Sequence, residues 1–80
     1  MTTAILGKKL REMYETPGAN KATMIHLFGV IYAEQIQVEK ITPAAIIKAA
    51  NMKCSYVTEI NKGINLAKYV TPKPEYIDKF

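Results

Sequence analysis

The chain has 80 residues, 49% of them hydrophobic and 22% charged, with 11 Lys and Arg against 7 Asp and Glu for a net charge of +4. That length holds one hydrophobic core and excludes two, and the mixture lies far from the polar, highly charged compositions that stay disordered. A single cysteine, Cys54, excludes an intrachain disulfide and any cysteine-ligated metal site assembled within one chain.

From the start of the chain, Leu6, Leu10, Met13 and Tyr14 recur at the spacing of one helical face, with Lys8, Lys9, Arg11, Glu12 and Glu15 on the other side. Thr3 is the expected cap. The run Thr16-Pro17-Gly18-Ala19-Asn20 then breaks the pattern, because the residue before a proline avoids the helical region and Pro-Gly is a turn signal.

The most apolar stretch follows, M-I-H-L-F-G-V-I-Y-A from Met24 to Ala33. Ile25, Phe28, Tyr32 and Ile36 form one stripe, and Met24, Leu27 and Ile31 a second beside it, which predicts a central helix covered by two neighbours. Its β-branched and aromatic content leaves a buried strand open on periodicity alone. Ala22, Ala33, Glu34 and Gln35 at its ends, and its length, favour helix. Gly29 in mid-helix costs about 1 kcal/mol relative to alanine. Close approach of the first or third helix is the expected offset. His26, alone in an apolar run, reads as a half-buried core residue rather than a ligand or base. The run is about half the roughly twenty residues a membrane span needs. The N-terminus M-T-T-A-I-L-G-K-K has no basic region ahead of an apolar one, so no secretory leader is expected. Together with the lone cysteine, this predicts a soluble cytoplasmic protein without a membrane partner.

After a polar link, Gln37 to Lys40, Thr42 followed by Pro43 marks a helix start: the hydroxyl accepts an orphan amide and the ring presets φ at the first helical position. This helix should end at Ala50, because Asn51 is among the residues that reach the left-handed region most cheaply. Beyond the turn, Val57, Ile60 and Ile64 share one face and Ser55, Thr58, Glu59 and Lys62 lie largely on the other. Two readings stand after Gly63. In the preferred one glycine ends the helix and Ile64 to Val70 form a short wing-like segment. In the other the helix runs through and Ile64, Ala67 and Val70 continue its buried stripe. Thr71-Pro72-Lys73-Pro74 must be extended, and the extended tail, residues 71–80, carries Tyr76, Ile77 and Phe80, enough apolar surface to dock on the domain or on a partner. The predicted fold is all-α: a single domain over residues 1–80, a bundle of about four helices.

The stretch Ile46 to Gly63, I-I-K-A-A-N-M-K-C-S-Y-V-T-E-I-N-K-G, resembles the helix-turn-helix of lactose-repressor-type transcription regulators, which runs roughly A-x-x-A-G-V-S-x-x-T-V-S-R-V-L-N-G. Ala50-Asn51-Met52-Lys53 stands at A-G-V-S, Tyr56-Val57-Thr58-Glu59 at T-V-S-R, and Gly63 at the closing glycine. The resemblance implies that the second helix, about residues 54–62, enters a DNA major groove while the first braces it across the backbone. It places Cys54, Ser55 and Glu59 at base-reading positions. Glu59 stands where an arginine is expected, and it retains an acceptor for the cytosine N4 amino group. Lys53 replaces the serine that would cap the second helix, leaving that role to Ser55 or to no side chain.

Between Lys48 and Lys73 there are five lysines (48, 53, 62, 68 and 73) against one acid, Glu59. Clustered positive charge suits phosphate contacts, to which Tyr56, Tyr69, Lys62 and Lys68 are candidates. Tyr56 and Tyr69 read equally well as cover for the core edge. The expected DNA-binding set is Lys53, Cys54, Ser55, Tyr56, Thr58, Glu59 and Lys62, in a small transcription regulator or DNA-processing system. A homodimer or a larger protein partner is expected to complete a specific site. The alternative is a helical protein-interaction module without a nucleic-acid role, which the acid at Glu59 favours and the lysine surplus opposes. The glycines form no phosphate-binding spacing and no paired carboxylates share an apolar face, so neither catalysis nor a cofactor is expected.

Overall fold

The computed structural model describes all 80 residues. Five α-helices follow one another without a strand: α1 Thr3–Tyr14, α2 Lys21–Val38, α3 Pro43–Ala49, α4 Val57–Leu66 and α5 Pro74–Lys79, with a 3₁₀ turn over Cys54–Tyr56 leading into α4. The all-α bundle expected from the periodicities is what forms, and no helix is long and apolar enough to cross a membrane.

The helix starts are written locally. The hydroxyls of Thr2 and Thr42 and the side-chain oxygen of Asn20 accept from the amides of Ile5, Ala45 and Thr23, each cap being worth about 1 kcal/mol. The first cap is therefore Thr2, one residue before the expected Thr3, which itself already has helical geometry. The second helix, expected to give way to a link at Gln37, continues to Val38. It ends with Lys40 at φ 54, where the amides of Lys40 and Ile41 bond back to the carbonyls of Gln37 and Ile36 at 3.3 and 3.0 Å.

Helix α2 is apolar nearly all round because it is the central element, packed against both α1 and α4, while α1 also packs on α3. Leu6, Leu10 and Met13 from α1, Ile25, Phe28, Tyr32 and Ile36 from α2, Ile46 and Ile47 from α3, and Ile60 from α4 make one continuous core. These are the stripes that the spacing marks out. Leu27, Ile31, Val57 and Ile64 pack at its edge, partly buried.

Gly29 does lie at a backbone crossing, but the partner is α4 and not the first or third helix. A Cβ built on Gly29 would meet the Ile60 carbonyl oxygen at 2.7 Å, Gly63 Cα at 2.9 Å and the Ile64 nitrogen at 2.9 Å. The same contact corrects the reading of Gly63 as a stop. That residue is buried in mid-helix, facing Gly29 and the His26 carbonyl. The helix runs through it to Leu66, and no wing forms. Its missing side chain is spent on proximity to α2 rather than on a left-handed cap. Residues 71–73 are extended as the prolines require, but the tail is not extended to its end: Pro74 occupies the first turn of α5. Phe80 packs on the core, and its carbonyl accepts from the Tyr32 hydroxyl at 2.6 Å.

Candidate nucleic-acid interface

The hinge of the candidate site is Asn51. Its φ is 56°, and the amides of Asn51 and Met52 bond back to the carbonyls of Lys48 and Ile47 at 3.0 and 3.1 Å. This paired pattern closes a helix through a left-handed residue. It ends α3 where the sequence asks for the end, and it turns the chain so that α4 crosses α2. Arg11 of α1 braces the hinge from outside, its Nη1 3.4 Å from the Asn51 carbonyl.

The second helix then begins without a side-chain cap: neither Lys53 before the 3₁₀ turn nor Tyr56 before α4 makes one, and Ser55 does not supply it. Ile60 and Gly63 are buried against α2, which fixes the rotation of α4 about its own axis. The opposite face carries Ser55, Thr58, Lys62 and Asn65, all exposed and spaced by three, four and three residues. Cys54 and Asn61 flank this stripe, also exposed. Asn61 and Asn65 lie outside the expected set, which ends at Lys62. The same periodicity carried one turn further reaches Asn65.

The seven expected contact residues divide accordingly. Lys53, Cys54, Ser55, Thr58 and Lys62 are exposed on or beside the outer face of the second helix. Tyr56 is half-buried and turned toward α1, its hydroxyl 3.0 Å from that of Tyr14 with the rings edge to face. The Tyr14 bond, with burial, pushes the Tyr56 phenol above its ordinary pKa. Glu59 sits on the flank nearest α2, with both carboxylate oxygens engaged: one by His26 Nε2, the other by Lys62 Nζ at 3.3 Å. His26 is half-buried as expected, but it is a helix-to-helix tie rather than a passive core residue. Nothing in the local sequence signals it, since the partners are 33 residues apart.

The hydrogen bond from His26, with Lys62 adding to it, holds the Glu59 carboxyl below its ordinary value of 4.5. A carboxylate with a lowered folded-state pKa contributes stability that is fully present above the unfolded value and is lost as pH falls through the folded one. Glu59→Gln is therefore expected to melt below wild type at pH 5 to 7, with the two midpoints converging as the pH drops below about 4. Thermal melts across that range check it, and a gap that widens in acid would contradict it.

Of the five lysines around this region, Lys62 is paired with Glu59, while Lys48, Lys53, Lys68 and Lys73 are exposed and make no ion pair. No three His, Cys, Asp or Glu side chains gather where they would hold a metal ion. The architecture is thus two helices joined by a left-handed hinge, the second presenting a polar, lysine-flanked face.

Comparison with known proteins gives one match: residues 2–73 fit the family of the HTH-like domain. Neither the curated proteins nor the solved structures gave a match. The family match spans nearly the whole chain rather than the eighteen residues that resemble the lactose-repressor type, and it includes α1 and α2 as part of the module. The chain belongs to the HTH-like domain family.

Proposed function

We propose that this protein binds double-stranded DNA, with α4 and the 3₁₀ turn before it entering the major groove, in a small transcription regulator or DNA-processing system. The observation that carries the reading is the polar stripe Ser55, Thr58, Lys62 and Asn65, exposed along a helix whose other side is locked to α2 at a glycine crossing. Hydroxyls and amides at that spacing suit base edges, and an asparagine pairs adenine through its N6 and N7. Cys54 and Asn61 lie beside the stripe as small and polar contacts. Lys53 and Lys62 face the phosphates. Pairing of Glu59 with His26 and Lys62 offsets its charge beside the DNA backbone, which supports the reading.

One module of this size makes few phosphate contacts, so a second copy or a larger protein partner is needed for a specific site. The alternative of a protein-interaction module draws support from Leu66, Tyr69 and Val70, which are 45%, 83% and 45% exposed at the far end of the same helix and just after it. That apolar end lies at the end of α4 away from the hinge, and it is where a partner would attach.

A titration of duplex DNA at two salt concentrations tests the reading. Wild type should bind with an affinity that falls steeply with salt, and Lys53→Ala with Lys62→Ala should lower the slope of log affinity against log salt by about 2. Absence of binding at low salt would leave the protein-interaction reading in its place.

A further inference from the structure

Arg11 and Tyr14 are neighbours on α1, three residues apart, and the fold brings Lys53 and Tyr56 to them at one cavity of about 270 Å³ beside the hinge, lined by Arg11, Tyr14, Asn51, Met52, Lys53 and Tyr56. Two of these side chains are cationic and none is acidic. Glu15 holds Arg11 from the side, Nε to Oε1 at 2.9 Å, and Nη1 lies against the Asn51 carbonyl, which leaves the other terminal nitrogen of the guanidinium fork without a partner. Lys21, outside the lining, lies over the Tyr14 ring with its Nζ 4.4 Å from the centroid and donates to the Tyr14 carbonyl at 3.1 Å.

The tyrosine pair adds a donor. Between two phenols 3.0 Å apart only one O–H serves the mutual bond, so the other hydroxyl proton remains free to donate outward. One unpartnered guanidinium nitrogen, a lysine and a spare phenol proton around one small opening, with Glu15 held to the far side of the guanidinium, match a tetrahedral anion better than a base edge or an apolar group.

We propose that this cavity seats one backbone phosphate of the duplex, Arg11 and Lys53 supplying the charge and the Tyr14–Tyr56 pair the neutral hydrogen bond. The assignment rests on the DNA-binding reading above and specifies where α1, outside the two-helix unit, touches the nucleic acid. In it Tyr56 is a backbone contact and not a base reader, and Asn51 sets both the turn and the floor of the seat.

The test is duplex binding followed by fluorescence anisotropy over a salt series, with folding of each variant checked by its thermal melt. Arg11→Gln should lower the slope of log affinity against log salt by about 1 and weaken binding several-fold. Lys8→Gln, an equal loss of charge on the exposed face of α1, should leave the slope nearly unchanged. Arg11→Lys should keep the slope and lose part of the affinity, because the charge stays while the guanidinium that bonds Glu15, the Asn51 carbonyl and the phosphate at once is lost. Tyr56→Phe should weaken binding at an unchanged slope. Inorganic phosphate at fixed ionic strength should displace the duplex no better than chloride; strong displacement would mark a site for free phosphate and overturn the assignment to the DNA backbone. A wild-type slope in Arg11→Gln would overturn the seat while leaving the α4 reading intact. No binding by wild type at low salt would instead remove the α4 reading on which the seat rests.

Discussion

Gly63→Ala is expected to destabilise the protein by about 3 kcal/mol, the upper end of what overpacking a core costs, although it adds a single methyl group to a helix and alanine is the better helix former. The added carbon would meet the His26 carbonyl, Gly29 Cα at 2.9 Å and the His26 carbonyl carbon at 3.0 Å. All three neighbours are backbone, so no side chain can rotate away, and relief requires α2 and α4 to separate. Separation would also open the packing around Ile60 and Phe28, both fully buried. For a domain of this size the change corresponds to a fall of roughly 15 °C in melting midpoint. Gly29→Leu presses on the same crossing from the other side and should be at least as damaging. Gly18→Ala is the control: nothing lies within 4 Å of the added carbon there, and the cost is limited to its φ of +77°, about 1 kcal/mol. A Gly63→Ala protein melting with wild type would mean that the two helices do not cross at these glycines.

The same crossing shows which features of this fold were legible in sequence. Helix faces were, because periodicity is a local property: Leu6, Leu10 and Met13, or Ile25, Phe28, Tyr32 and Ile36, bury as their spacing dictates. So was the hinge, since Thr42, Pro43 and Asn51 each act through their own backbone and nearest neighbours. Gly63 was not, because glycine serves equally as a helix end and as a contact point, and the difference is set by Gly29, 34 residues earlier in the chain. Lys40 was hidden for a different reason. It takes a left-handed φ of 54° with a residue type that carries no signal for it, held there by the amide bonds that finish α2. The outer face of the second helix could be drawn from spacing, but the charge state of that face could not. Whether Glu59 points at a groove or at α2 depends on His26, and Tyr56 depends on Tyr14. In both cases a residue expected to face outward is recruited by a helix far away in sequence.

Replacement of Asn51 by valine should cost about 2 kcal/mol, a fall of roughly 10 °C in melting midpoint, and the reasoning extends from the hinge to the candidate DNA face. At φ 56° a β-branched side chain clashes with its own backbone, whereas asparagine tolerates the left-handed region and glycine is indifferent to it. Asn51 makes no side-chain hydrogen bond among those that hold the hinge; its amide bonds to Lys48 and its carbonyl accepts from Arg11. Asn51→Gly should therefore melt within about 0.5 kcal/mol of wild type, since both backbone contacts survive. Valine forces a choice between strain at the turn and a shifted path for residues 52–54, and either outcome moves the start of the second helix relative to Arg11. Measured well below the melting midpoint, the valine variant should lose duplex affinity while the glycine variant keeps it. Equal affinity in the two would show that the angle set at Asn51 does not govern how the second helix is presented, and an unchanged melting midpoint for valine would show that the hinge is not left-handed.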